Sequence, residues 1–216
     1  LNCDYLVVGA GAAGCVVSNR LSHSPNNGVI CIEAGGKDTN FYIKIPAGFS
    51  KTVYNDKINW PYYTEETDNT ANRKIRFPRG KVVGGSSSIN GHLYVRGQAN
   101  DYDGWAQKGC LGWGWSDVLP YFMKAETRPQ GNKSFRGNEG PLHISDLTSP
   151  HPLAKLFIET AHSIGIKKNT DYNSGDQEGS FLYQTMIKNS KRWSASDAYL
   201  KPILSRNNFK FLINTY

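Results

Sequence analysis

The sequence predicts an α/β fold, α+β overall, that opens with the nucleotide-binding βαβ unit of a parallel sheet. Three observations predict it: the apolar run Tyr5-Leu6-Val7-Val8, the series Gly9-Ala10-Gly11-Ala12-Ala13-Gly14 directly after it, and a second apolar run, Val29-Ile30-Cys31-Ile32, ending on Glu33. The glycines permit a tight turn and close backbone approach to a pyrophosphate, whose charge suits the N-terminus of the following helix. Glu33 stands nineteen residues past Gly14, where a βαβ unit ends its second strand. A carboxylate there accepts hydrogen bonds from an adenosine ribose and repels the extra phosphate of NADP. The ligand class is an adenine dinucleotide.

A bare G-x-G-x-x-G is a weak signal; a strand before it, a helix after it and an acid at the right distance strengthen it together. The helix runs from about Gly11 to Ser22 and places Ala12, Ala13, Cys15, Val16, Val17 and Leu21 on a small or apolar surface. Pro25, Asn26, Asn27 and Gly28 make the turn, and the unbroken apolar run after it is of the kind parallel sheets bury on both faces. Residues 35–77 lack sustained periodicity and read as an irregular excursion over the nucleotide, with Phe41, Tyr42, Phe49, Tyr54, Trp60, Tyr62 and Tyr63 as packing aromatics. Ser116 is expected to cap a helix to about Glu126, before a polar loop over 127–140 and a short strand over 140–145. Leu153, Leu156, Phe157, Ile158, Ala161 and Ile164 mark a helix from about Pro152, ended by Gly165. Residues 181–187 read as a strand, Ser194 as the start of a helix toward Leu204, and the ending over 209–216 as the beginning of a strand.

Length and composition bound the alternatives. The 216 residues hold one large domain or parts of two, with the mix of a soluble globular protein. The charge of +7 comes from 25 Lys plus Arg against 18 Asp plus Glu, but the basic residues are scattered, which argues against nucleic acid as a partner. Cys3, Cys15, Cys31 and Cys110 form no C-x-x-C pair; three fall in the strand, helix, strand core, and all four are read as reduced. No metal site is expected. No run approaches a membrane span, and the chain starts at Leu1 almost on the first strand, so the true start is expected upstream. The cytoplasm is the expected location, with peripheral membrane attachment as the alternative.

A second constellation reads Arg79-Gly80-Lys81-Val82-Val83-Gly84-Gly85-Ser86-Ser87-Ser88-Ile89-Asn90-Gly91-His92. Gly84 and Gly85 allow successive amides to turn toward one ligand, the serines add hydroxyl donors, and Arg79 and Lys81 add positive charge. Such a loop holds an anion or lies against a planar ring. It is not a nucleophile elbow, which needs G-x-S-x-G, and not a P-loop, which needs Gly-Lys-Ser or Gly-Lys-Thr.

With Gly9 to Gly14, Glu33-Ala34-Gly35 and Arg79 through Asn90 in place, the chain resembles the glucose-methanol-choline family of FAD-dependent oxidoreductases, and within it the choline dehydrogenase and alcohol dehydrogenase branch. Tyr94-Val95-Arg96-Gly97, Asp101-Tyr102-Asp103, Gly112-Trp113, Glu139-Gly140-Pro141-Leu142 and 194–200 extend the likeness over nearly the whole chain. The resemblance implies a Rossmann-like FAD-binding domain over 1–145, with the excursion as a lid over about 35–77. It also implies the start of a sheet-and-helix substrate domain over 146–216. Gly9, Gly11, Ala12 and Gly14 would face the FAD pyrophosphate, Glu33 with Ala34 the adenosine ribose, and Arg79 would lend charge. Val82, Gly84, Gly85, Ser86, Asn90, Gly91, His92 and Leu93 would lie along the flavin or its ribityl chain. Some relatives tether the flavin through a histidine at the position of Ile89, so noncovalent FAD is expected here.

The reaction implied is oxidation of an alcohol, choline-like or another primary alcohol, to an aldehyde by hydride transfer to flavin N5. The electron acceptor is oxygen or a quinone-like carrier, and homo-oligomerisation is left open. The family's base is a histidine near its C-terminus, expected beyond Tyr216, so the fragment alone is expected to be inactive. His23, His143, His151 and His162 are read as structural or surface residues, and Tyr183 or Gln184 as sheet residues within reach of a substrate wall. Two readings stand beside this one: an NAD-linked dehydrogenase, which the Gly-Gly-Ser-Ser block disfavours, and a nonenzymatic nucleotide-binding module.

Overall fold

A computed structural model describes residues 2–216. The chain forms two compact units, one of the residues up to His92 together with Asn189–Tyr216, the other of Leu93–Lys188. The first begins with β1 (Tyr5–Val8), α1 (Ala12–Leu21) and β2 (Val29–Glu33), followed by α2 (Phe41–Lys44), α3 (Phe49–Thr52), β3 (Asn59–Trp60), β4 (Arg79–Gly80) and a 3₁₀ turn at Gly85–Ser88. The second holds α4 (Ala99–Gln107), α5 (Trp115–Ala125), β5 (Glu126–Thr127), β6 (Leu142–His143), α6 (Pro152–Ser163) and β7 (Ile187–Lys188). The first unit resumes with β8 (Lys191–Arg192), a π-helical turn at Ser196–Leu200 and β9 (Phe209–Ile213).

The nucleotide-type sheet has the order β1-β2-β9, all parallel, with Val7 opposite Cys31 and Cys31 opposite Phe211. Its central strand is β2, and Val29, Ile30 and Cys31 are buried there, which is why that run carries no polar residue until Glu33. β1 lies at the edge, with Val8 77% exposed. The boundary expected at 145/146 falls inside the second unit, and residues 189–216 sit in the first. Backbone pairing decides this: β9 takes its ladder from β2, so the chain's last strand belongs to the opening βαβ sheet.

Local expectations differ in five places. The second unit's α5 is capped at Gly114, whose N–H donates to Asp117 at 3.0 Å, with Asp103 accepting from Trp115, so Ser116 already lies inside the helix. α4 was not foreseen in the sequence; Asp101 secures its start by accepting from the Gln98 N–H at 2.7 Å. Residues 181–187 form isolated bridges at Thr185 and only the first residue of β7, and the helix expected from Ser194 breaks into a π turn and a 3₁₀ turn holding Pro202, which has no N–H to donate. Cys3 is exposed because it precedes the first paired residue of β1; Cys15 and Cys31 are buried free thiols. Burial pushes the Cys15 thiol up to about 12, and its Sγ–H donates to the Ala10 carbonyl at 3.3 Å. Among the described residues no helix is long and apolar enough to cross a membrane.

Candidate functional site

Two glycine clusters far apart in the sequence meet in the first unit. β1 runs into Gly9, at φ +91°, whose N–H donates to the Ile32 carbonyl at 2.8 Å and ties the turn to β2. Gly84, at φ +87°, donates to the Ala10 carbonyl at 2.8 Å. A Cβ on Gly85 would lie 2.7 Å from the Gly11 Cα, so the two loops touch backbone to backbone and no side chain fits between them. α1 starts at that contact with no side-chain cap and no acidic residue in its first turn. Its first N–H groups therefore have no side-chain partner, and the helix dipole adds partial positive charge there.

A cleft of about 580 Å³ lies along this seam, bordered by Gly11, Ala12, Ser86, Ser87, Arg79 and the rings of Trp60, Tyr62 and Phe77. A smaller one of about 330 Å³ is bordered by Val8, Gly9, Glu33, Ala34, Thr215 and Tyr216. Gly11, Trp60, Gly80 and Gly85 border both, so the clefts are two chambers of one groove.

Glu33 is buried at the small end. Its Oε2 accepts from the Ala10 N–H at 2.7 Å and its Oε1 from the Gly35 N–H at 2.8 Å. A carboxylate offers about four lone-pair sites, so two stay open to a ribose hydroxyl. Gly35 is needed beside it: a Cβ there would be 2.2 Å from the Lys81 carbonyl.

The serine hydroxyls, expected as ligand donors, mostly serve their own loop. Ser87 donates to the Gly84 carbonyl at 2.6 Å and Ser88 to that of Val83 at 2.7 Å. Ser86 Oγ accepts from the Gly80 N–H at 3.1 Å, which leaves its own O–H to donate, and it borders the large chamber. Arg79 also borders that chamber, its guanidinium 3.9 Å from the Phe77 ring centre. Val82 and Ile89 are buried with Ile43, so an aliphatic side chain occupies the Ile89 position as part of the core. Asn90 Oδ1 accepts from the His92 N–H at 3.0 Å and from Arg192 at 2.9 Å.

Arg192, buried in the same unit, escaped sequence reading. Its guanidinium also donates to the carbonyls of Ile43 and Ser87, at 3.0 and 3.2 Å, and so pins the far side of the Gly-Ser loop. No local pattern marks such a partner. Trp60, Tyr62, Phe77, Thr215 and Tyr216 were likewise missed as groove residues; the aromatic density of the excursion was their only signal.

His92 is buried at φ +50°, with its ring edge-on to Phe49 and its Nδ1 without a hydrogen-bond partner. Burial first, and the Arg192 charge second, hold its pKa down at about 4. The unfolded chain therefore takes up a proton near pH 6.5 that the folded chain refuses until about pH 4, so stability falls as pH drops through that window, by at most about 3 kcal/mol. His92→Leu is expected to shrink the difference between urea unfolding free energies at pH 7 and pH 5. An unchanged difference would refute the assignment.

Of the other histidines, His23 is exposed in the first unit, while in the second His151 accepts from Leu153 at the start of α6, His162 is exposed near its end, and His143 lies in β6. Leu93 falls in the second unit and is 46% exposed. Gln184, expected within reach of a substrate wall, is buried in that unit and committed to Asp171 at 2.7 Å and Asn173 at 3.0 Å; Tyr183 is 46% exposed.

A family model for GMC oxidoreductases matches residues 3–216. The chain is 43% identical over 212 residues to the oxygen-dependent choline dehydrogenase of Rhizobium johnstonii, covering 98% of this chain and 39% of that protein. The solved structure of a pyridoxine 4-oxidase from Mesorbium loti superposes with a TM-score of 0.94 at 35% identity, covering 99% of this chain and 42% of that one. An FAD-dependent oxidoreductase from Chaetomium thermophilum gives 0.89 at 30% identity, over 98% and 38% respectively. The chain thus spans about two fifths of the length of the relatives it matches.

Proposed function

The chain belongs to the GMC oxidoreductase family, and from that premise we propose that its first unit holds FAD in an enzyme that oxidises an alcohol to an aldehyde. One observation carries this most: the uncapped N-terminus of α1 opens on the Gly11–Gly85 backbone contact, with a buried carboxylate at the other end of the same groove. That is a place for a dianionic pyrophosphate beside a ribose. Gly9, Gly11 and Ala12 face the pyrophosphate, Gly14 lets the helix come close, and Glu33 with Ala34 takes the adenosine ribose. Arg79 lends charge. Gly84, Gly85, Ser86, Asn90, Gly91 and His92 line the flavin side, over a floor set by Val82.

When bound, FAD would supply the acceptor for the hydride leaving the alcohol carbon. The chain's own part is to orient the dinucleotide, neutralise its phosphates and exclude water from it. Ile89 offers no nucleophile, which supports noncovalent binding. We assign no proton-accepting base among the 216 residues. The substrate we propose is a small primary alcohol of the choline type, after the names of the relatives, with oxygen or a quinone-like carrier taking the electrons. The second unit is proposed as the beginning of the substrate-binding region, and the cytoplasm as the location.

Titration of the chain with FAD is expected to give protein-bound flavin absorbance, and acid precipitation to leave the yellow colour in the supernatant. Colour kept in the precipitate would overturn noncovalent attachment; protein that stays colourless in excess FAD would overturn the site. Glu33→Gln is expected to weaken FAD about tenfold or more, because the amide sets N–H groups against one of the two backbone donors that the carboxylate now satisfies.

A further inference from the structure

On the reading that the Gly-Ser side of this groove holds the flavin, we propose that Arg192 is a positioning residue for the ring that accepts the hydride. It is a buried cation behind the Ser87–Asn90 wall that orients the Asn90 amide and favours the reduced, negatively charged state of the cofactor. Arg192 is 1% exposed and belongs to the same unit as the groove. Its Nε donates to the Ile43 carbonyl at 3.0 Å, and its Nη1 to the Ser87 carbonyl at 3.2 Å and to Asn90 Oδ1 at 2.9 Å. Ser87 borders the large chamber, so one residue of loop separates the guanidinium from ligand space. Asn90 Oδ1 also accepts from the His92 N–H at 3.0 Å. Both of these neighbours can only donate, so the amide has one orientation, and on this exposed residue its Nδ2 arm is turned away from Arg192 with two N–H groups to offer.

A residue needed only to fill this space would not be charged. A buried cation loses its hydration, and an apolar side chain of similar volume in its place is often neutral or stabilising. Among the described residues no carboxylate forms an ion pair with Arg192, and its Nη2 is buried without a hydrogen-bond partner. The acid whose charge reaches it, Asp197, is shared with Lys44 and Lys201. Burial lowers the Arg192 pKa to about 10, which still leaves it charged at pH 7, and His92 beside it is neutral above about pH 4. The wall made by the Gly-Ser loop therefore has a fixed and under-neutralised positive charge at its back. A hydride carries two electrons and one proton, so a ring that accepts it from the alcohol gains one negative charge. A cation already in place stabilises that state without any rearrangement.

The 216-residue chain loaded with FAD tests this through the midpoint potential of the bound flavin, read by absorbance against reference dyes, beside ADP affinity by equilibrium dialysis. Arg192→Met keeps a stem of similar volume and removes the charge. It is expected to move the balance from reduced toward oxidised flavin about tenfold, as one unit of charge acting across a single loop at an effective dielectric of about 20 would do. That is a potential about 30 mV more negative for a two-electron couple. ADP affinity is expected to stay within about twofold of the parent, because Glu33 and the start of α1 set that end of the groove. Arg192→Lys keeps the charge without the planar fork and is expected to hold the potential within about threefold of the parent balance while FAD binds about threefold more weakly through a looser Asn90. Asp197→Asn removes the acid that partly offsets Arg192 and is expected to shift the potential the opposite way, by about threefold in the balance. An Arg192→Met chain with the parent's potential would overturn the role, and so would an unchanged potential with weakened ADP, which would place the charge on the pyrophosphate instead. If Arg192→Met does not fold, the direction of the shift in Asp197→Asn decides. A parent chain that takes up no FAD would overturn the groove reading first, and the role of Arg192 with it.

Discussion

Gly14→Ala is expected to cost both stability and cofactor binding, whereas Gly11→Ala, three residues earlier, is expected to cost binding alone. In the interior of a free helix the change at Gly14 would be favourable, since Ala exceeds Gly by up to about 1 kcal/mol in helix propensity. At Gly14 the added Cβ would lie 1.8 Å from the Gly9 carbonyl oxygen and 3.0 Å from its carbon. Both are backbone atoms, and Gly9 cannot retreat freely because its N–H holds Ile32 across the sheet. α1 must move away from the β1 turn instead, at roughly 1–3 kcal/mol of strain. That movement carries the helix N-terminus off the groove, so FAD affinity is expected to fall about a hundredfold or more. Around Gly11 a Cβ meets nothing within 4 Å, yet Gly11 borders both chambers, so the methyl would occupy ligand space. Urea unfolding is expected to place Gly11→Ala within about 1 kcal/mol of the parent, as for a change at a helix cap, while FAD titration shows the loss. Tight FAD binding by Gly11→Ala would remove pyrophosphate from this groove.

That contrast also marks how far the sequence speaks. The strand, glycine turn, helix and Glu33 were legible because each depends on neighbours within one βαβ unit, where spacing and polarity fix the geometry. The Gly-Gly-Ser-Ser loop was legible as a backbone that must turn sharply, and Gly84 and Gly85 do take positive φ. What spacing does not encode is which backbone that loop meets. The approach of Gly85 to Gly11, the return of β9 to the edge of β2, and the hold of Arg192 on Ser87 and Asn90 all join residues about seventy or more apart in the chain. The serines show the same limit in reverse: hydroxyls that look free for a ligand are drawn to nearby carbonyls, because a tight loop leaves unpaired backbone groups close at hand. The helix α4 stayed hidden because its residues are mostly polar or aromatic, and a side-chain cap rather than an apolar stripe sets its start.

The largest loss of stability is expected from Glu126→Ala in the second unit. Glu126 is fully buried and ion-paired with two buried guanidinium groups, an Nη of Arg96 at 2.7 Å and the Nε of Arg136 at 2.9 Å, and it accepts a hydrogen bond from an Nη of Arg136 at 3.1 Å. The Gly137 N–H donates to it as well, at 3.0 Å. Alanine would strand those charges: Arg136 would keep only Asp171, at 2.9 Å, and Arg96 only the Phe135 carbonyl and the Tyr94 hydroxyl. Removing one partner of a buried ion pair costs about 3–5 kcal/mol, because the remaining charge stays out of water without compensation. Glu126→Gln keeps the shape and one acceptor and is expected to lose less. Asp176→Asn, which breaks the exposed pair with Lys167, is expected to change nothing measurable. Urea unfolding of the three variants should rank them in that order, and a Glu126→Ala chain as stable as the parent would mean that Arg96 and Arg136 find other partners. The same buried acid anchors the loop over 128–137 through Arg136 and Gly137, and Arg136 passes the constraint to Asp171 and thence to Gln184. Loss of Glu126 is therefore expected to loosen the segment around Gln184 before the rest of the unit, visible as early loss of amide protection near Tyr183–Thr185 in hydrogen exchange.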